Sequence, residues 1–232
     1  MYMLHYDLYM TTYRKLTFAN GELYHVYNRG VERRHVFTNK REYGRALETL
    51  KFYRFSDLPL RLSKFLVIPE GERSEVFTNI SNHDKLVEII TYCLMPNHFH
   101  FLLKQTQING ISRFLANFTN SYTKYFNTKR NRVGPLFQGL FKAVHIETDE
   151  QFIHVSRYIH LNPVSSFIIK IEELENYQWS SFPEYMNKTS EVICYTKPIL
   201  DYFSSVEKYR QFIFDQASYA QELDKIKHLI FE

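Results

Sequence analysis

His98 and His100 stand two residues apart in TYCLMPNHFHFLLK, residues 91–104. The stretch reads as a β-strand broken once at Pro96-Asn97. Successive side chains of a strand point to opposite faces, so residues two apart share one. The alternation puts both imidazoles on one face and Phe99 on the other. Two imidazoles at that spacing suit two ligands of one metal ion.

A second stretch, VSRYIHLNPV at 155–164, places Tyr158 and Asn162 four residues apart in a helical pattern. Residues at that spacing share a helix face. With His98 and His100 holding a cation from the sheet, Asn162 offers an amide oxygen from the helix, and Tyr158 reaches the same place. Mixed imidazole and oxygen donors suit Mg²⁺ or Mn²⁺. The cation acts as a Lewis acid on a phosphate, and the Tyr158 phenol is the candidate nucleophile. Two rivals stay open: a metal-dependent phosphodiesterase that uses water, and a binding protein that keeps the site without the reaction.

Charge is uneven along the chain. Residues 1–146 carry 21 Lys/Arg against 11 Asp/Glu, and residues 147–232 carry 8 against 14. Between Lys104 and Ile146 there are seven basic residues and no acid: Lys104, Arg113, Lys124, Lys129, Arg130, Arg132 and Lys142. A block of one sign suits a polyanion, nucleic acid first. Arg29, Arg33 and Arg34 around Gly30 form a second cluster, suited to clamping phosphates. These ten residues are the candidate DNA contacts.

The elements that must position these groups read as follows. ELYHVYNRG, 22–30, is a strand. Asn39 caps a helix over 40–54, with Tyr43, Leu47 and Leu50 at helical spacing. LRLSKFLVI, 60–68, reads as a strand, and the polar 69–84 segment as a loop or hairpin turn. KLVEIITYCLM, 85–95, and HFHFLLK are strands. From Gly110 a long helix carries Ile111, Phe114, Leu115, Phe118, Tyr122, Tyr125 and Phe126 at spacings of three and four. A basic turn over 127–135 and a loop lead to a strand ending near 147. A helix over 149–161 ends before Asn162-Pro163. KPILDYFSSVEKYRQFIFDQ, in the acidic tail, forms one or two packed helices.

This order predicts an α+β protein: a ferredoxin/RRM-like antiparallel sheet with helices mainly on one face, plus a helical C-terminal tail. The expected organisation is a poorly ordered N-terminal extension over 1–20, a catalytic domain over 21–170, and a helical extension over 171–232 packed on or next to it.

YHVYNRG, YCLMPNHFHFLL, GPLFQGLFKAV, RYIHLNPV and QWSSFPEY occur here in the order seen in single-tyrosine HUH transposases. The chain resembles most the REP-associated tyrosine transposases, relatives of small insertion-sequence transposases, over roughly residues 20–190. The resemblance implies metal ligation by His98 and His100, a nucleophile at Tyr158 and a third ligand at Asn162. It further implies cleavage and rejoining of single-stranded DNA at hairpin sites through a 5′-phosphotyrosine, and a homodimer. Leu140 stands where many relatives carry a basic residue, and the 69–84 segment is longer than the family pattern. A regulator that binds hairpin DNA without cutting it stays as the alternative.

Tyr122 and Tyr125 sit in the basic helix and read as packing or stacking residues; neither has Asn or Gln four positions on. His160, two residues from Tyr158, reads as a satisfied polar group, and Gln138 as a loop hydrogen-bonding residue. Cys93 and Cys194 form no CxxC pattern and read as reduced thiols. No apolar run approaches a membrane span, and the N-terminus lacks a signal-peptide pattern. The expected location is the cytoplasm, at the nucleoid when bound to DNA, with no membrane partner and no nucleotide cofactor.

Overall fold

The structure, a computed structural model, describes residues 16–217. Four strands form one antiparallel sheet: β1 (Leu23–Arg29), β2 (Val87–Met95), β3 (His98–Gln105) and β4 (Lys142–Ile146), in the order β2-β3-β1-β4. Helix α1 (Lys40–Tyr53) follows β1, and short α2 (Leu62–Phe65) and α3 (Glu70–Ser81) precede β2. Helix α4 (Gly110–Lys129) joins β3 to β4, and α5 (Asp149–Ser165) follows β4. Leaving α2 and α3 aside, β1-α1-β2-β3-α4-β4 is the ferredoxin-like path, and the fold class is the one expected.

Strand alternation sorts the side chains into two cores. Tyr24 and Val26 of β1 and Phe99, Phe101 and Leu103 of β3 face α1 and α4. Leu102 of β3 and Cys93 and Met95 of β2 face the other way, into a core with Phe152, Ile159 and Val164 of α5. Helices therefore cover both faces, which corrects the expectation that they lie mainly on one. The apolar second face of β2 and β3 left no stable alternative in water.

The C-terminal elements seal this second layer: α6 (Phe182–Tyr185), α7 (Lys197–Leu200) and α8 (Val206–Phe214). Residues of the QWSSFPEY motif also cover the outer edge of β2. Leu94 N–H donates to the Trp179 carbonyl at 2.8 Å, and Ser181 N–H to the Tyr92 carbonyl at 3.0 Å. Leu16 and Phe18 pack against the first core. The rest of the proposed N-terminal extension, residues 1–15, lies outside the described residues.

Three elements differ from the sequence reading. Residues 60–68 hold α2, not a strand, because Leu62 and Phe65, three apart, bury together with Phe52, Phe55 and Ile80 in a small satellite core. The 69–84 segment is not a loop: α3 starts after Pro69, and its Ile80 reaches the same satellite core. Helix α5 also continues through Pro163 to Ser165. Proline removes one helical N–H, but Leu161, Pro163 and Val164 are buried, and that packing offsets the lost bond. Elsewhere local signals hold, as where the Asn39 side chain accepts from Glu42 N–H at 3.1 Å.

Glu42, fully buried, fastens α1 to the end of α4. Its Oε1 accepts from Lys129 Nζ at 3.0 Å and from an Arg130 Nη at 2.8 Å, and its Oε2 from Thr38 N–H and Oγ1. Burial alone pushes the carboxyl upward, but the bonds from Arg130, Thr38 and Lys129 outweigh it and hold the pKa at about 2, from 4.5. A depressed carboxylate contributes stability above its unfolded pKa and loses it as pH falls through the folded value. Arg130 is partly exposed, so the contribution is about 1–2 kcal/mol after screening. Glu42→Gln is expected to be less stable than the parent at pH 7 by that amount. Urea melts from pH 7 downward should show the gap closing between about pH 4.5 and 2; a gap independent of pH would remove the ion pair as its cause.

Candidate active site

The second face of the sheet, at the Arg29 end of β1, gathers the titratable groups. Antiparallel pairing sets Arg29 opposite His98 and Tyr27 opposite His100. Alternation along β1 then puts His25, Tyr27 and Arg29 on the histidine face. Helix α5 crosses this face and brings Tyr158 over it. The Tyr158 ring stands edge-on to His100, with centroids 5.4 Å apart, and to His25 at 5.8 Å. The His98 and His100 rings are 5.0 Å apart and nearly perpendicular. His98, His100, Tyr158 and Asn162 thus meet within one chain.

The turn beside His98 is built to hold it. Gly30 N–H donates to the Asn97 carbonyl at 2.8 Å, and Val36 and Phe37 N–H donate to the Pro96 carbonyl. A Cβ on Gly30 would strike the Arg34 carbonyl and the Val36 side chain, so only glycine lets the two turns approach. The Asn97 amide donates to the Arg33 carbonyl at 3.3 Å, which turns its Oδ1 to His98 Nδ1 at 2.5 Å. On α5, Asn162 Nδ2 donates to the Tyr158 carbonyl at 3.0 Å. The Asn162 side chain also interacts with the His98 ring.

All three histidines of the site are neutral at neutral pH. Burial, with Arg29 adding to it, lowers His98 to about 4 against the Asn162 interaction, and burial lowers His25 to about 4. His100 lies well below its usual range, through burial and then His25, His98 and Arg29. Neutral imidazoles present lone pairs, as metal ligation requires. His98 is addressed by the amides of Asn97 and Asn162 yet carries one N–H, so one ring nitrogen keeps a lone pair beside an amide. Two imidazoles and an amide oxygen fit a hard or borderline divalent cation. Among the described residues no group of three or more His, Cys, Asp or Glu is arranged to hold a metal.

The competing tyrosines lie across the sheet. Tyr122 is buried in the α4 core and donates to the Val36 carbonyl at 2.5 Å. Tyr125 packs against the same core, with Arg45 over its ring. His160 points away from the site: its Nε2 meets Ser181 Oγ at 2.8 Å and its Nδ1 meets the Tyr209 hydroxyl at 2.9 Å. Since Ser181 binds β2 and Tyr209 lies on α8, this buried network fixes the helix that carries Tyr158.

The ten basic candidates separate. Arg29 is exposed and stands beside His98 and His100. Arg33, Arg113, Lys124 and Lys142 are exposed, and Lys104 is half-buried. Lys129 and Arg130 are engaged by Glu42, and Arg34 by Glu32 at 2.9 Å. Arg132 braces its own loop through Asn127 and the Pro135 carbonyl. Gln138 N–H donates to the Arg29 carbonyl at 2.8 Å, tying the 134–141 loop to the same strand end. His25 and Asn97 escaped the sequence reading. The signal for His25 was the alternation His25-Tyr27-Arg29, which gains meaning only once β1 is known to lie beside β3.

Comparison with known proteins gives a family match and a structural one. Residues 69–162, a segment that includes both histidines, Tyr158 and Asn162, match the family described as "Transposase IS200 like". No curated protein matches the chain. Among solved structures the chain is similar to a REP-associated tyrosine transposase bound to a REP hairpin. The identity is 17%, over 84% of this chain and 96% of that one, with a TM-score of 0.49. Among the described residues no helix is long and apolar enough to cross a membrane.

Proposed function

We propose that this protein is a transposase that cleaves and rejoins single-stranded DNA at hairpin sites through Tyr158, with Mg²⁺ or Mn²⁺ held by His98, His100 and Asn162. The observation that carries the reading is the placement of the Tyr158 ring against His100, within an IS200-like segment, on the face that holds the other two donors. When bound, the cation would supply Lewis-acid polarisation of the scissile phosphate. The chain does the rest. Tyr158 Oη forms a bond to phosphorus while the bond to the 3′-oxygen breaks. The phenol proton passes to solvent, and the departing oxygen takes one up as a free 3′-OH. The product is a 5′-phosphotyrosine, and attack by a 3′-OH reverses the step without an energy source. Arg29, one strand pair from His98, is placed to hold a phosphate oxygen.

The exposed bases Arg33, Arg113, Lys124 and Lys142 supply backbone contacts, which position DNA without reading its sequence. Hairpin recognition and a homodimer rest on the five motifs shared with the REP-associated group. The division into 21–170 and 171–232 is a proposal of the same kind, with a cytoplasmic, nucleoid-associated location.

Incubating the protein with labelled single-stranded hairpin DNA and Mn²⁺ tests the reading. The expected result is a labelled protein band that survives denaturation, together with a fragment ending in 3′-OH. Cleavage with no adduct would transfer the role of nucleophile to water, and binding with neither would leave a hairpin-binding regulator.

A further inference from the structure

His25 has no assigned part in this reading, yet it makes a close polar contact with His100. Its Nε2 lies 2.9 Å from His100 Nδ1, and the two rings are 5.1 Å apart with planes 23° from parallel. Tyr27 lies against both rings, at 5.5 Å from His100 and 5.2 Å from His25. His100 is 5% exposed, so its orientation is set by these neighbours rather than by water.

Two neutral imidazoles joined by one hydrogen bond share one proton, and the bond can be made in two ways. When His100 donates from Nδ1, its Nε2 carries a lone pair. When His25 donates, His100 Nδ1 is the acceptor, the His100 proton sits on Nε2, and no nitrogen of that ring is left for a cation. Ligating histidines are commonly held in this fashion, with the second ring nitrogen donating to an acceptor that fixes tautomer and orientation. His98 shows the same construction, with Asn97 Oδ1 at its Nδ1. Both imidazoles are thus gripped at Nδ1, one by an amide oxygen and the other by a histidine. The contact between His25 Nε2 and His100 Nδ1 also argues against His25 as a third metal ligand, because that nitrogen is already occupied.

We infer that His25 is a positioning residue: it accepts the Nδ1 proton of His100 and so keeps His100 Nε2 free for the cation. The inference rests on the metal-dependent reading above, but the tautomer it assigns belongs to the metal-free protein and is measured there.

Long-range ¹H–¹⁵N correlation spectra of the imidazoles in the full, metal-free chain read the tautomer directly. The expected pattern for His100 is a protonated Nδ1 and an unprotonated Nε2. His25→Gln places an amide oxygen near the original Nε2 and should preserve that pattern. His25→Phe keeps a ring but removes the acceptor and should populate the Nε2-protonated form. Calorimetry with Mn²⁺ should show affinity falling about 10–100-fold in His25→Phe and returning to within a few-fold in His25→Gln.

An Nε2-protonated His100 in the parent protein would overturn the inference, and this measurement needs no variant to fold. So would unchanged Mn²⁺ affinity in His25→Phe, or failure of His25→Gln to restore it, the result expected of a direct ligand. A parent protein that binds no Mn²⁺ would instead sink the metal-dependent reading, while the tautomer spectrum would still decide the His25–His100 bond.

Discussion

Tyr158→Phe is expected to abolish the covalent adduct while the protein still folds and binds hairpin DNA. The substitution removes one oxygen and little volume. The side chain is 44% exposed, so stability should change by no more than about 0.5 kcal/mol. DNA affinity should also persist, because contacts to the phosphate backbone from basic side chains carry most of it. The chemistry has no such reserve. Losing a nucleophile can cost on the order of 10⁶-fold in a hydrolase, and adduct formation here should drop by at least about 10³-fold. Tyr122→Phe is a poor control, since it deletes the bond to the buried Val36 carbonyl and destabilises the core. Tyr125→Phe is a better one: its hydroxyl is buried without a partner among the described residues. Adduct yield from this variant should match the parent. Mass spectrometry of the trapped complex should place the nucleotide on the peptide containing Tyr158. A nucleotide on a peptide from α4, with Tyr158→Phe still forming adduct, would overturn the assignment.

What could be read from the sequence was what depends on near neighbours. The strand alternation of His98 and His100, the Asn39 cap, the apolar repeat of α4 and the one-turn spacing of Tyr158 and Asn162 are each settled within a few residues. What could not be read depends on long-range pairing. His25 gains its meaning from Leu102 opposite it and His100 beside it, 75 positions along the chain. Lys129 and Arg130 look like free charge until Glu42, 87 and 88 positions away, is found beneath them. The face chosen by α5 follows from which side of β2 and β3 remains apolar once α1 and α4 are seated. Helix α3 was missed for a different reason: of its twelve residues only Ile80 is fully buried, so it has almost no apolar stripe to betray a helical period.

The second large effect belongs to the histidine pair. The double variant His98→Ala, His100→Ala is expected to lose Mn²⁺ binding by more than about 100-fold, beyond the range typical of residues that only orient a ligand. The two positions will not behave alike. His98 is half-buried at the strand end, and its removal frees the Asn97 amide to meet water. His100 is buried, and its removal opens a cavity and strands His25 Nε2 without its partner, at a cost of about 1–3 kcal/mol. The His98 variant should therefore melt close to the parent and the His100 variant several degrees lower. The β-ladder uses backbone groups alone, so circular dichroism of both should retain the parent's strand and helix content. Arg29 is untouched by either change, and with two neutral imidazoles gone its field on the site is undiminished. Hairpin affinity without metal should then stay within a few-fold of the parent while cleavage disappears. This split separates a metal-ligand role from a structural one. If calorimetry with Mn²⁺ gives the double variant the parent's affinity, the cation is held elsewhere. Equal loss of hairpin binding and cleavage in the His98 variant would mean that the strand end serves DNA docking rather than the metal.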